Sequence, residues 1–394
     1  MRILLIVDDY LPESVKIAGK MMHELAIELV HQGHEVTVLS PNTKDDIPLV
    51  SNIDGVEVLR FRSGGIKNVS KSRRLINEMR LSSLAWRQLG SILQSKKYDR
   101  IVFYNPSIFW VGLVSRLKRL WGCDAYMILR DIFPQWAIDS GLLSPASPLT
   151  FFLRMTAVRN YRTADRIAVQ SPANVPMLSR FSSKVEVLYN WAHESPLPPI
   201  QKEPKVHMAQ LGIQEKTVFF YGGNIGHAQD MTNIIRLADS LRTECFAHFL
   251  LVGNGDEFEV VRNEIRKRGL NNVSLCESVS QEVYEEMLAE CDIGLISLNA
   301  LHTAHNFPGK LLGYLNAGKP VLASINKGND LRILLEQANA GLVSWNGDDE
   351  LLLSNAKQLY FDSKLRLEFG IKGRTLLATH FSVKSAAKQV SRAF

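Results

Sequence analysis

Arg2-Ile3-Leu4-Leu5-Ile6-Val7 is an apolar run that stops at Asp8-Asp9, and Glu35-Val36-Thr37-Val38-Leu39 is a second such run. Between them, after a loop signal at Tyr10-Leu11-Pro12-Glu13-Ser14, the residues Met21, Leu25, Ala26 and Leu29 recur at helical spacing from about Ile17 to His31, and Gly33 closes the helix. A strand, a helix and a second strand in this order make the unit from which parallel sheets are built. The alternation continues through apolar runs at Gly55 to Phe61, Arg100 to Tyr104, Ala125 to Leu129, Arg166 to Gln170 and Val185 to Tyr189, with helical stretches near 73–94 and 110–121. This predicts a doubly wound α/β sheet, whose ligands sit beyond the carboxyl ends of its strands.

A chain of 394 residues exceeds the size at which a single core stops growing, so two domains are expected. Pro196, Pro198, Pro199 and Pro204 stand among charged residues in a segment that suits neither helix nor strand, and mark the linker. Beyond it the alternation restarts. Strands are expected at Thr217 to Tyr221, Phe246 to Val252, Asn272 to Cys276, Asp292 to Leu298, Pro320 to Ala323 and Gly341 to Val343, with helices between, and the chain from about Leu351 to Phe394 reads as helical throughout. Two such sheets would face each other across a cleft.

With 46% hydrophobic and 22% charged residues the composition is that of a globular protein, and a net charge of +6 suits an anionic partner or serves solubility alone. Cys123, Cys245, Cys276 and Cys291 lack metal or disulfide spacing and are expected to be reduced, mostly buried thiols. The first apolar run is too short for a leader, no segment approaches the ~20 apolar residues of a membrane span, and a cytoplasmic location is expected.

In the second half, Asn306-Phe307-Pro308-Gly309-Lys310-Leu311-Leu312-Gly313-Tyr314 reads as a loop entering a short helix that stops at Gly318. A lysine in the first turn, among outward-pointing N–H groups, would suit a diphosphate. Tyr221-Gly222-Gly223-Asn224-Ile225-Gly226-His227 and Val252-Gly253-Asn254-Gly255-Asp256 are glycine turns between a strand and a helix, where backbone N–H groups could approach a phosphate. Each could equally be a structural turn. All three features are expected on one sheet edge. In the first half, Arg130 and Asp131 follow a strand directly, where a carboxylate could accept the proton of an incoming hydroxyl, or the pair could merely cap and neutralise. Trp136 could stack on a sugar.

Lys67, Lys71, Arg73, Arg74, Arg80, Arg87, Lys96, Lys97 and Arg100 are interleaved with Leu75, Met79, Trp86, Leu89 and Leu93, and Arg116, Lys118 and Arg119 neighbour Trp121. These read either as an anionic-membrane surface or as a core-facing helix with a solvated basic back. They lack the arrangement of a nucleic-acid reading motif. His302 and His305 have no carboxylate or cysteine beside them to complete a metal set, so no metal is expected, and His305 is a candidate for hydrogen bonding to sugar or phosphate.

His31-Gln32-Gly33-His34 before the second strand, Ala164-Asp165-Arg166-Ile167 to Ser171, Val187 to Trp191, and above all Asn316-Ala317-Gly318-Lys319-Pro320-Val321 carry a resemblance to the family-4 retaining glycosyltransferases of the GT-B fold, over essentially the whole chain. The Pro308-Gly309-Lys310 form and the Gly222 to Gln229 turn resemble the bacterial O-antigen and capsule branch that includes N-acetyl-L-fucosamine transferases. The resemblance implies an acceptor-binding Rossmann-like domain over 1–195, a nucleotide-sugar domain over 205–380, and a terminal helix over 381–394 packing back on the first domain. It implies a UDP-sugar donor, an undecaprenyl-diphosphate-linked saccharide acceptor, a peripheral location on the inner face of the membrane, and no cofactor or metal. It assigns catalysis to Asp131, Lys310 and His305. Donor contacts fall to Gly222, Gly223, Asn224, Gly226, His227, Val252, Gly253, Gly255, Ser278, Val279, Asn306, Pro308, Gly309 and Leu311, and acceptor contacts to Gly19, Lys20 and Arg130.

Departures from the family pattern are equally visible. Most members carry two glutamates eight positions apart where this chain has His305 and Gly313, and the usual arginine and lysine of the first glycine turn are Gly223 and about Gln229. Lys310 would then supply most of the positive charge, with help from His227. Two other readings compete: a nucleotide-sugar epimerase of the same fold, and a nucleotide-sugar binder that has lost catalysis.

Overall fold

The computed structural model describes residues 1–12, 17–42, 49–65, 69–105, 107–139, 142–194, 205–301 and 307–392. It divides into two compact units, Met1–Ala192 with Val383–Phe394, and His193–Ser382. The first contains β1 (Arg2–Ile6), β2 (Glu35–Asn42), β3 (Val50–Ile53), β4 (Val56–Arg62), β5 (Arg100–Asn105), β6 (Asp124–Leu129), β7 (Arg166–Val169) and β8 (Val185–Val187). They form one sheet in the order β3-β4-β2-β1-β5-β6-β7-β8, parallel except where β3 pairs antiparallel with β4. The order reverses direction between β1 and β5.

Alternation along β1 shows why these strands are apolar throughout. Leu4 and Ile6 face Leu81, Ala85, Leu89 and Leu93 of the helix Lys71–Ser95, whereas Ile3 and Leu5 share the opposite core with Leu25, Ala26 and Leu29 of the helix Ile17–His31. A parallel strand covered on both faces has no polar side to show. β3 is absent from the sequence reading. Its signal was the Asp54-Gly55 pair, whose φ values of 50° and 84° make the two-residue hairpin turn that Asp-Gly favours.

The stripe Leu81, Ala85, Leu89 and Leu93 of the basic helix belongs to the core, whereas Ile76 and Met79 nearer its start are exposed. Trp86 is covered by the Arg116 guanidinium, 4.5 Å from its ring centroid, so it is not a free membrane anchor. Lys67 lies outside the described residues. Cys123 and Cys291 are buried and Cys276 partly so, but Cys245 is exposed, because it lies in the connection before a strand rather than within one.

The second unit has a six-stranded parallel sheet of β9 (Thr217–Gly222), β10 (Ala247–Val252), β11 (Val273–Cys276), β12 (Ile293–Ser297), β13 (Val321–Ile325) and β14 (Gly341–Trp345), in the order β11-β10-β9-β12-β13-β14. Its switch point lies between β9 and β12. The last stretch is not one helix: Asp362 accepts the Leu365 N–H at 2.9 Å and so starts a new helix, Ser363–Leu376, directly after Asp349–Phe361. Another break at Ser382 precedes Val383–Ser391.

That final helix is built into the first unit. Val383, Ala386, Ala387 and Val390 join the core that contains Leu25 and Leu29, and the buried Arg100 guanidinium donates to the carbonyls of Val390 and Arg392. Val390→Asp would place a carboxylate in this core, and we expect it to destabilise the first unit by about 3 kcal/mol or more. Chemical denaturation should show the transition of the first unit moving while that of the second stays in place.

Candidate functional site

In the second unit the chain leaves β9 at Gly222 and turns through Gly223, Asn224 and Ile225. The Gly223 N–H donates to the Val252 carbonyl at 2.9 Å and the Ile225 N–H to the Asn254 carbonyl at 2.9 Å, so this turn lies against the one that follows β10. The contact is backbone on backbone. A Cβ on Gly253 would stand 1.7 Å from the Gly223 oxygen, and one on Gly255 would stand 2.0 Å from the Ile225 oxygen. Gly223 itself has φ of 126°, which other residues rarely adopt. The two turns thus form one glycine shelf at the carboxyl edge, extended by Ser278, whose Oγ accepts from Asn254 Nδ2 at 2.7 Å. Val279 beside it is exposed.

Lys310 begins the helix Lys310–Asn316. Its Nζ lies 3.5 Å from the centroid of the Tyr221 ring, and its Cε would be 3.6 Å from a Cβ at Gly223. Four positions on, one helical turn along the same face, Tyr314 accepts the Gly222 N–H at 3.2 Å and donates its hydroxyl to the Leu295 carbonyl at 3.0 Å. One buried hydroxyl therefore ties the helix to β9 and β12 at the switch point, and the i, i+4 spacing puts the Lys310 ammonium over the glycine shelf. Among the described residues no carboxylate pairs with it. Burial pushes its pKa down to about 7 from an ordinary 10.5, because the charged form has lost water and gained only the face of a tyrosine ring.

Other donor-side expectations divide. Gly226 is packed between Asn224 and Asp256, and His227 is mostly exposed with its Nδ1 3.3 Å from Glu257. Its nearest charge is thus a carboxylate. Asn224 Nδ2 is held by Gln229 at 2.8 Å. Val252 and Leu311 are core residues with no exposed side chain to offer. The expected crown of outward N–H groups is smaller than the sequence implied, because Leu311 N–H donates to the Pro308 carbonyl at 3.0 Å and Leu312 N–H to that of Gly309 at 3.2 Å. His305 and Asn306 lie outside the described residues. The sequence reading quoted Tyr221 and Tyr314 within its motifs without assigning them roles; a tyrosine in a buried strand or helix face, with a hydroxyl to satisfy, was the signal.

In the first unit, Asp131 follows β6 at the carboxyl edge near that sheet's own switch point. It is exposed, and partial desolvation raises its pKa against the opposing pull of Arg130. Tyr104, pushed up to about 12 mainly by burial, feels the charges of Arg130, Asp131 and Asp8, which gathers the ends of β1, β5 and β6 into one polar edge. Arg130, expected on the acceptor side, has structural partners of its own. Its buried guanidinium donates to the carbonyls of Leu188 at 2.6 Å and Tyr189 at 3.3 Å and lies 5.4 Å from the Trp191 ring, so it ties β6 to the end of β8. Gly19 is buried and Lys20 exposed in the first turn of the helix that follows β1. The side chain of Trp136 is not among those described.

The shelf admits a direct test. Gly253→Ala must displace the Gly223 carbonyl, and we expect a loss of ~1–3 kcal/mol in stability, measured by chemical denaturation.

Residues 205–376 match the model for glycosyl transferases group 1, and residues 18–191 match a glycosyl transferase 4-like domain. A probable glycosyltransferase, WbjE of Pseudomonas aeruginosa, is 25% identical over 84% of this chain and 80% of its own, and a putative colanic acid biosynthesis glycosyl transferase, WcaI of Escherichia coli strain K12, is 23% identical over 81% and 82%. Among solved structures, sucrose-phosphate synthase from Thermosynechococcus elongatus superposes with a TM-score of 0.72 at 15% identity, covering 98% of this chain and 96% of its own. Anabaena HepE, solved in complex with UDP, gives 0.68 at 16%, covering 99% and 98%. These likenesses and the two parallel-sheet units agree with the GT-B fold expected from the sequence. The chain is a glycosyltransferase, its first half similar to a glycosyl transferase 4-like domain and its second half to the glycosyl transferases group 1.

Proposed function

We propose that this enzyme moves a sugar, with retention of configuration, from a UDP-sugar to a lipid-linked saccharide during assembly of a bacterial surface polysaccharide, the sugar being N-acetyl-L-fucosamine or a related N-acetyl amino sugar. The observation that carries the reading is an ammonium without an anionic partner among the described residues, held over a glycine shelf at the switch point of the second sheet. Such a cation has a desolvation cost that a diphosphate would offset, and it strengthens as negative charge develops on the leaving group. No metal is required in this scheme, because Lys310 and the shelf supply the electrostatic stabilisation. A relative named for colanic acid biosynthesis and a UDP complex of a protein of the same fold support the pathway class and the donor. In this reading Asp131, whose pKa is raised by partial desolvation, serves the acceptor side, where a carboxylate can orient or deprotonate the incoming hydroxyl.

Removing the cation tests the donor site. Lys310→Met should lower transfer about a hundredfold or more while the protein stays folded. Its melting temperature should equal or exceed that of the parent, since the charged form is the one that burial disfavours.

The sign of the pH effect follows from the lowered pKa. Between about 7 and 10.5 folding releases the Lys310 proton, so this group makes the protein more stable as pH rises across that window, and its burial cost is fully present below 7. Diphosphate binding requires the protonated form, so UDP-sugar affinity should fall as pH rises through about 7, and Lys310→Met should flatten the curve. A parent enzyme with flat affinity between about pH 6 and 8 would remove Lys310 from the donor site.

For the acceptor side, Asp131→Asn should reduce turnover at least about a hundredfold with UDP-sugar affinity unchanged. Loss of affinity instead would move Asp131 to the donor. Release of UDP from donor alone separates a transferase from a mere binder.

A further inference from the structure

We infer that the helix Pro148–Thr163 of the first unit docks the protein on an anionic lipid bilayer. Its start is well defined: Ser147 Oγ accepts the Thr150 N–H at 3.1 Å, and Pro148 occupies the first turn. Leu153, Ala157 and Tyr161 fill its inner face within the core. The outer face is apolar as well. Leu149, Phe151, Phe152 and Met155 are 41%, 68%, 41% and 44% exposed, the densest cluster of exposed large apolar side chains among the described residues of this unit. A surface helix that is apolar on both sides is not explained by the core of its own domain.

Charge selects the occupant. No Asp or Glu occurs between Asp139 and Asp165, whereas Arg154, Arg159 and Arg162 are exposed and have no ion-pair partner among the described residues. Phe152, Met155, Arg159 and Arg162 follow one stripe, with the apolar residues in the amino half and the arginines in the carboxyl half. From Phe152 to Arg162 is about 15 Å at helical rise, so the aromatic end can enter the acyl boundary while the guanidinium groups remain among headgroup phosphates. A second copy applied to this face would bring three more arginines and no carboxylate from the same helix to neutralise them. Phospholipid of net negative charge satisfies both halves.

The assignment differs from the basic helix Lys71–Ser95, whose stripe Leu81, Ala85, Leu89 and Leu93 is in the core and whose exposed apolar residues are Ile76 and Met79. It deepens the proposal of a lipid-linked acceptor, and it is testable apart from it.

Co-sedimentation of the full chain with vesicles reads the inference directly. Vesicles of phosphatidylcholine mixed with phosphatidylglycerol should bind the protein in a salt-sensitive manner, and pure phosphatidylcholine should not. The exposed double variant Phe151→Ser with Phe152→Ser should bind at least about tenfold more weakly, and Arg159→Ala and Arg162→Ala should each cost about fivefold. Charge reversal at Arg73 and Arg80 in the other helix should cost less than either arginine of the stripe. Undiminished binding by the phenylalanine double variant overturns the inference. So does loss of binding caused only by the Arg73 and Arg80 reversal, and so does a concentration-dependent dimer of the parent that the phenylalanine variant abolishes. UDP release from the donor without vesicles should be the same in parent and variants. If the parent released none yet still bound vesicles through this helix, the functional proposal would fail and the docking surface would stand.

Discussion

The carboxyl edge of the second sheet depends on two backbone segments that touch. Gly253 has no room for a Cβ because the Gly223 carbonyl occupies the space, and Gly255 stands in the same relation to Ile225. Side chains on either turn would part them and dissolve the shelf that they form at the end of β9 and β10. The remaining geometry is arranged around that contact: Tyr314 bridges Gly222 and Leu295, which sets the angle of the helix that carries Lys310.

Under the proposed function, this arrangement lets a site with few cations among the described residues meet a diphosphate. Families of this kind commonly distribute positive charge over several residues, and here the shelf itself carries none. The one lysine is set over an aromatic ring in a desolvated position, where its field is less screened than it would be at the surface. Desolvation lowers its pKa and also raises the value of any anion that arrives. His227, the other candidate, is exposed and lies next to Glu257, so it is the weaker contributor.

Within the first unit the same economy separates neighbours. Arg130 and Asp131 look alike as a charged pair in the sequence, yet one is consumed by the carbonyls of Leu188 and Tyr189 and the other is left at the surface. The guanidinium closes the edge of the sheet at β8 and gives Trp191 a cationic neighbour. The carboxylate keeps its freedom to meet a ligand. The basic helix and the helix Pro148–Thr163 show a parallel split, since the conspicuous charges cover a core while a less conspicuous run of phenylalanines faces out.

The parallel-sheet architecture, nearly all strand positions, the glycine turns and the lysine helix were legible from sequence, because apolar periodicity and glycine placement act over short distances and leave local marks. The β3 hairpin had a mark too, the Asp54-Gly55 turn, but four residues at an edge make a weak period. What the tertiary structure alone decided is which polar groups are free. Leu311 and Val252 lie beside Lys310 and Gly253 in the chain but face the core; Arg130 finds carbonyls some sixty positions away. Tyr314 reaches two strands that no local pattern connects to it. Partnering over such distances depends on how the elements pack, and a pattern of neighbouring residues carries no record of it.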